Sequence, residues 1–377
     1  MRTRFVIQFV IMKTTMQIKL LPSATQHALL LDTMHAFNAA CTWIAEYAYR
    51  ERCASKFVLQ KELYQEVRQQ FGLSAQLAIR AIAKTVEAYK RDKTQPIAFR
   101  PDGAVVYDER ILSFQGLEFA SLMTLHGRAV VPIQMGDYQR VQFSRAQGQA
   151  DLVLVNGQFF LLATIDTPEE PPMEPTNFLG VDLGIVKLAT DSDGNSYTGA
   201  DVERVRVRCG TARQTYQATG TKSAKRRLKK MAGKESRFRR CVNHVISKTL
   251  VAKAKDTKAA LVLEDLTHIR RRMTVRKSQR NRHTGWGFAQ LRAFIAYKAL
   301  LAGVPLVFVD PRNTSRTCHR CGFVEKKNRR SQAEFLCLRC GHAANADYNA
   351  AKNIATRGAV SRPDLIAPRM DQLAFSW

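Results

Sequence analysis

Two Cys-x-x-Cys pairs, Cys318/Cys321 and Cys337/Cys340, stand fifteen residues apart and constrain this chain more than any other feature. Each pair turns two thiolates toward one point, and two such turns complete a tetrahedron suited to Zn²⁺. Gly322 and Gly341 follow the pairs, where a tight knuckle needs a residue able to take positive φ. A redox Cys-x-x-Cys is the alternative, but two copies at this separation speak against it. His319 and His342 lie close by as substitute ligands, yet four thiolates already fill the site. One structural Zn²⁺ without a catalytic water is therefore expected. The other four cysteines, Cys41, Cys53, Cys209 and Cys241, share no spacing and are expected as buried thiols, which fits a reducing compartment.

The chain has 377 residues, 45% of them hydrophobic, enough to bury a sizeable core in two or three domains. Lys and Arg total 59 against 32 acids, a net charge of +27, far more than solubility requires. A membrane surface is the rival partner, but the charge falls in blocks that a phosphate backbone can follow. From Arg204 to Arg240 fourteen Lys and Arg face one acid, Glu235. The candidate nucleic-acid contacts there are Lys225, Arg226, Arg227, Lys229, Lys230, Arg237, Arg239 and Arg240. A second block comprises Arg270, Arg271, Arg272, Arg276, Lys277, Arg280 and Arg282, and a third, inside the cysteine region, holds Lys326, Lys327, Arg329 and Arg330. Trp286 and Phe288 could stack bases, although core packing is the preferred reading for both.

The apolar run Phe5 to Met12 follows Arg2 and Arg4, but it lacks a small-residue cleavage site and is too short to span a bilayer. It reads as part of a strand, or as sequence upstream of a natural start at Met12 or Met16. No membrane-spanning stretch is found elsewhere, so a cytoplasmic location is expected.

From Ser23 to about Gln95 the pattern is helical. Leu30, Met34, Phe37, Cys41, Ile44 and Ala48 recur at steps of four and three as one buried face. Shorter helices are expected from Lys61 to Phe71 and from Gln76 to Lys90, the latter capped by Ser74. Between Pro96 and Pro172 the period becomes two, with Val105, Tyr107, Ile111, Val130 and Phe143 in short strands. The clearest hairpin runs from Leu152 to Val155, turns at Asn156-Gly157, and returns from Gln158 to Ala163. Met16 to Leu20 can pair with these strands, making the helices an insertion into a small barrel. Pro168, Pro171, Pro172 and Pro175, with Glu169, Glu170 and Glu174, read as a stiff exposed linker and the main domain boundary. Beyond it, Phe178 to Leu183, the hairpin of Leu188 to Asp191 with Ser196 to Thr198, Ala260 to Glu264, and Pro305 to Val309 read as strands. A helix from Phe288 to Leu301 and a long basic helical region separate them, the order of an α/β layer.

Three acids are placed where apolar patterning alone would not put them. Asp182 interrupts the strand Phe178-Leu-Gly-Val-Asp-Leu-Gly184, Glu264 ends Ala260-Leu-Val-Leu-Glu264, and Asp347 opens a helix whose Ala350, Ala351 and Ile354 can pack closely on a sheet. A buried unpaired charge is costly, so a cation partner is implied. If gathered, the three repel one another unless divalent ions neutralise them. Two hard cations about 4 Å apart would do so, and oxygen-only ligands favour Mg²⁺ or Mn²⁺. Each acid also has a bland explanation: Asp182 paired with an Arg, Glu264 at a surface strand end, Asp347 as a helix cap. Asp265 competes with Glu264, but strand alternation sends the two to opposite faces.

At these residues the chain resembles the TnpB family of transposon-encoded RNA-guided nucleases, relatives of the type V CRISPR effectors. Phe178 to Gly184 is similar to the family's first RuvC motif, Leu261-Val-Leu-Glu-Asp-Leu266 to the second, and Asn345-Ala-Asp-Tyr-Asn-Ala-Ala-Lys-Asn-Ile354 to the third. The cysteine ribbon lies between the second and third, as it does in that family. The resemblance is strong from about Asn177 to Gly358 and looser before. It implies a multidomain α/β protein: an RNase H-like RuvC nuclease domain over 173–377 with a zinc ribbon inserted at 313–343, and a wedge β-barrel over 1–22 and 96–172 split by a helical recognition insert over 23–95. It further implies Asp182, Glu264 and Asp347 as catalytic Mg²⁺ ligands. The partners it implies are a guide RNA and double-stranded target DNA beside a short flanking motif. Two other functions fit parts of the pattern, namely a guided binder that does not cut and a guide-free, structure-selective nuclease. Loss of a carboxylate would mark the first, and all three are present; the helical insert and ribbon speak against the second.

Overall fold

The computed structural model describes residues 11–144, 146–266 and 288–360, and divides between Pro168 and Glu169 into two units. The readings made for residues 1–10, for the block from Arg270 to Arg282 and for Trp286 lie outside the described residues.

The first unit opens with β1 (Ile11–Leu20), followed by α1 (Ala24–Arg50), α2 (Lys56–Phe71) and α3 (Ala75–Arg91). It continues through β2 (Val105–Tyr107), β3 (Leu112–Gln115), β4 (Phe119–Thr124), β5 (Gly127–Gln134), α4 (Asp137–Phe143), β6 (Ala146–Val155) and β7 (Gln158–Pro168). The seven strands form one antiparallel sheet in the order β2-β6-β7-β1-β5-β4-β3. Its far strand β3 also comes alongside β6, so the sheet curls toward a barrel. The three helices are inserted between β1 and the rest, and Leu30, Met34, Phe37, Cys41, Ile44 and Ala48 are fully buried in the shared core. A capping box starts α1: Ser23 accepts from the Gln26 amide, and the Gln26 side chain reaches back to Ser23.

Several local expectations shift. The second helix begins at Lys56 rather than Lys61, because Ser55 caps it by accepting from the Val58 amide. Ser74 holds the cap position of α3, yet its hydroxyl makes no capping bond and, among the described residues, is buried without a partner. Phe143, expected in a strand, ends α4 and packs edge-on against Phe114 at 4.8 Å. Its apolar character reflects that contact and not a pleat. Of the four scattered cysteines, Cys41 and Cys209 are buried, Cys53 is half-buried and Cys241 is exposed. The Asn156-Gly157 turn is as expected: Val155 pairs with Gln158, and φ is +52° and +77° at the two turn residues.

The second unit contains β8 (Asn177–Asp182), β9 (Lys187–Asp191), β10 (Ser196–Thr198), α5 (Ala200–Thr219), α6 (Lys222–Met231) and α7 (Lys234–Asp256). After them come β11 (Ala259–Glu264), α8 (Phe288–Leu301), β12 (Leu306–Val309), β13 (Glu334–Leu336), β14 (Ala343–Asn345) and α9 (Ala346–Val360). Five strands form a mixed sheet in the order β10-β9-β8-β11-β12, with β8, β11 and β12 parallel. Alternation along these strands separates two cores. Leu179, Val181, Leu261, Leu263 and Leu306 join Leu250 of α7 and Ile295 of α8, while Val262, Val307 and Val309 meet Ile354 of α9.

Helix α9 sits unusually close to β8. A Cβ built on Gly180 would lie 2.2 Å from the Ala351 carbonyl oxygen and 2.4 Å from the Ala355 amide nitrogen, so only glycine fits. The proline-rich segment is not a free span. The Glu170 amide donates to the Leu301 carbonyl, Met173 donates to Gly303, Glu170 pairs with Lys255 at 2.6 Å, and Pro175 is buried. Its backbone donors find acceptors at the end of α8, which holds the segment down despite its charge and prolines. Among the described residues, no helix is long and apolar enough to cross a membrane.

Candidate active site and metal centre

Strands β8 and β11 run parallel with Val181 opposite Leu263, so the next residues, Asp182 and Glu264, stand side by side at the carboxyl ends of adjacent strands. Both lie on the face that α9 covers, and the first turn of α9 carries Asp347. The carboxyl edge of such a sheet is where open α/β folds place their ligands.

The electrostatics show that Asp182 feels the other two acids. Burial, then the charges of Glu264 and Asp347, push the Asp182 carboxyl from its ordinary 3.8 up to about 7, against the pull of Arg329. Burial also pushes the Glu264 carboxyl up, while the Thr314 hydroxyl, Arg357 and Arg329 oppose it. Thr314 Oγ1 donates to Glu264 Oε1 at 2.5 Å. Asp347 is flanked by two cations, with Arg329 Nη2 at 3.6 Å from Oδ1 and Lys187 Nζ at 4.0 Å from Oδ2.

The bland explanations fare differently. Among the described residues Asp182 makes no ion pair with an arginine. Asp347 is not needed as a cap, because Asn345 Oδ1 accepts from the amides of Asp347 and Tyr348 at 3.2 and 3.3 Å. Asp265 pairs with Arg292 at 3.1 Å and is half exposed, which removes it from the competition.

A buried carboxyl whose proton affinity is raised by neighbouring acids suits a hard divalent cation, which relieves the repulsion. The arrangement does not gather the three acids onto a single point. Among the described residues, the set of His, Cys, Asp and Glu ligand atoms lying within 4.8 Å of one another is the four cysteines.

The cysteines do converge. Cys318 Sγ is 3.7 Å from Cys340 Sγ, and Cys321 Sγ is 3.5 Å from Cys337 Sγ. Both knuckles share a backbone pattern: Gly322 donates to the Cys318 carbonyl at 2.9 Å and Gly341 to the Cys337 carbonyl at 3.0 Å, with φ of +73° and +68°. Four sulfurs around one centre fit Zn²⁺. His319 and His342 meet edge-on, ring centroids 4.5 Å apart, outside the cluster, and His319 Nδ1 bonds Asn349.

Residues 161–270 match the family model described as a probable transposase, and residues 288–354 match the Cas12f1-like TNB domain. Together the two spans contain all three acids and all four cysteines. A TnpB-like protein of Methanocaldococcus jannaschii is 29% identical over 206 residues, 51% of this chain and 73% of that protein. The chain is thus similar to TnpB-family proteins and to type V effectors over these spans.

A CRISPR-associated endodeoxyribonuclease, Cas12f1 of Sulfoacidibacillus thermotolerans, is 33% identical to this chain over 205 residues, 50% of the chain and 47% of the relative. The chain thus spans about half the length of that relative. Its fold is similar to the protein in a cryo-EM structure of a Cas12f1–sgRNA–target DNA complex, with a TM-score of 0.60 at 12% identity, covering 92% of this chain and 99% of the other.

The candidate contacts Lys225, Arg226, Arg227, Lys229 and Lys230 are exposed on α6, and Arg237 and Arg240 are exposed on α7, while Arg239 is half-buried. Lys326 and Lys327 are exposed on a short turn of the ribbon. Arg329 differs from its neighbours: it turns inward to Asp347 and to the carbonyls of Ser331 and Gln332. Phe288 is partly buried against the core rather than offered to bases. Sequence reasoning missed Thr314 and Lys187 altogether and counted Arg329 only as surface charge. Nothing local marks them, since each meets an acid at least 18 residues away in the chain.

Proposed function

We propose that the chain is an RNA-guided DNA endonuclease that cuts target DNA by two-metal phosphodiester hydrolysis beside a short flanking motif, with Asp182, Glu264 and Asp347 as its metal-binding carboxylates. The observation that carries this reading is the Asp182 carboxyl at the carboxyl edge of the sheet, which burial and the charges of Glu264 and Asp347 push up to about 7. The strand order supports an RNase H-like RuvC domain over 173–377, because the first strand of the unit is central and bears the first acid at its end. The curled sheet with helices inserted after its first strand supports a wedge barrel over 1–22 and 96–172 and a recognition insert over 23–95. The four cysteines within 313–343 are read as holding one structural Zn²⁺.

When bound, Mg²⁺ or Mn²⁺ would activate a water and stabilise the leaving oxygen of an in-line displacement. The chain's own contribution is positional. The sheet fixes Asp182 and Glu264 relative to each other, α9 brings Asp347 over them, and Arg329 and Lys187 limit repulsion before a cation arrives. The exposed cations of α6 and α7 offer a surface for a guide RNA and the target duplex, which supply sequence recognition by pairing.

Separate substitutions Asp182→Ala, Glu264→Ala and Asp347→Ala are each expected to abolish cleavage of a guide-matched duplex and to leave RNA and DNA binding within a few-fold. Cutting by any one of the three removes that residue from the site. Activity that persists after complete RNA removal replaces guided cleavage with the guide-free reading.

A further inference from the structure

Three asparagines, Asn345, Asn349 and Asn353, stand four residues apart along α9 and its entry, and so share one face. Each spends its amide on the segment that leads into, or lies within, the cysteine ribbon. Asn353 Nδ2 donates to the carbonyls of Thr314 and Thr317 at 2.9 and 2.7 Å. Asn349 Nδ2 donates to Thr317 at 2.8 Å, and its Oδ1 accepts from the His319 amide at 3.1 Å. Asn345 Nδ2 donates to Ala333 at 3.1 Å. Asn349 is fully buried and Asn353 nearly so, so these bonds are made away from competing water.

Thr314 is the residue on which this ladder bears. It is 3% exposed, Asn353 holds its carbonyl, and its hydroxyl reaches Glu264. The Pro311 carbonyl is also in range at 3.1 Å, but a hydroxyl has one proton, and the closer, negatively charged oxygen takes it. One side-chain chain therefore runs from α9, which carries Asp347, through Thr314 to β11, which carries Glu264.

We propose that Thr314, anchored by Asn353, is a positioning residue for Glu264: it ties Oε1 in place and leaves Oε2 as the oxygen offered to a cation. The proposal rests on the reading of Glu264 as a metal-binding carboxylate. A glutamate otherwise has three free torsions, and fixing them in advance is what an outer hydrogen bond does for a metal ligand. Loss of such a partner costs about 10- to 100-fold in metal affinity.

The test uses the full chain with its copurifying RNA and a matched duplex. Thr314→Val removes the hydroxyl at constant shape, Thr314→Ser keeps it, and Asn353→Ala frees the Thr314 carbonyl. Three quantities are read: the Mg²⁺ concentration for half-maximal single-turnover cleavage, Mn²⁺ affinity by electron paramagnetic resonance without DNA, and zinc content as the check on ribbon folding. Thr314→Val should raise the Mg²⁺ requirement and weaken Mn²⁺ binding by about 10- to 100-fold at unchanged zinc content, and Thr314→Ser should restore both. Asn353→Ala should shift both readings the same way and add little on top of Thr314→Val, since the two act through one contact. Wild-type metal dependence in Thr314→Val, equal damage in Thr314→Ser, or additive effects of the pair would overturn the proposal. Glu264→Gln separates the two levels: if it is inactive while Thr314→Val is normal, only this inference fails, and if it cuts, the metal-site reading fails with it.

Discussion

Replacing Asp182 with asparagine should make the metal-free protein more stable at pH 8 while ending catalysis. The carboxyl lies at about 7 instead of 3.8, and each unit is worth 1.36 kcal/mol, so the ceiling is roughly 4 kcal/mol. Part of the side chain remains in contact with solvent, which reduces the expected gain to roughly 2–3 kcal/mol. The sign follows from linkage. A carboxyl whose folded value is raised binds its proton more tightly in the folded state, so the wild type loses stability as pH climbs from about 4 to about 7. Asparagine is indifferent to pH. The gap between variant and wild type should therefore vanish near pH 4, widen through pH 5 and 6, and level off above 7. Denaturant unfolding in magnesium-free buffer at several pH values measures it, and thermal shifts of about 4–12 °C should accompany it. Millimolar Mg²⁺ should then reverse the order, because only the wild type gains a ligand. A gap that is flat with pH, or of opposite sign, would refute the argument that burial and the neighbouring acids hold the Asp182 carboxyl up.

Gly180→Ala is expected to destabilise the second unit by roughly 3 kcal/mol or more, because the new methyl overlaps the α9 backbone at 2.2 Å, and urea unfolding of the full chain reads this out. Lys253→Met should cost roughly 3–5 kcal/mol: Lys253 lies 2.7 Å from Asp191, which is fully buried and would keep an uncompensated charge. The same scan should show no comparable loss for the double variant Lys253→Met/Asp191→Asn. Cys337→Ser should cut bound zinc to well below one per chain and expose Phe335, which packs beside the sulfurs, to limited proteolysis. Arg329→Gln should slow cleavage by about tenfold or more with little change in target binding, since this guanidinium sits over the acids and not on the outer surface.

The helical stripe of α1 and the Asn156-Gly157 hairpin were legible because each is dictated by residues only a few positions apart. Asp182 and Glu264 were legible for a related reason, since an acid ending an apolar strand has no local cause. What escaped was set by tertiary partners. Ser74 has every local mark of a cap, yet its hydroxyl is turned into the protein. Asp191 reads in the sequence only as the end of a hairpin strand, but it is buried and held by Lys253 across 62 positions. Thr314 is one of many threonines until the fold brings it to Glu264, and Arg329 is one of a basic run until it turns toward Asp347. Such side-chain bonds have no period, so no pattern in the chain announces them.

The bare contact between Gly180 and α9 leaves no cushion of side chains between strand and helix. Most packed elements can adjust to a neighbour's movement by rotamer changes, but here backbone rests on backbone. Any tilt of α9 must pass to Asp347 undiminished, and any shift of the ribbon along the asparagine face must do the same. The spacing of the carboxylates is thus set by the seating of one helix, which makes that seat the mechanical datum of the site.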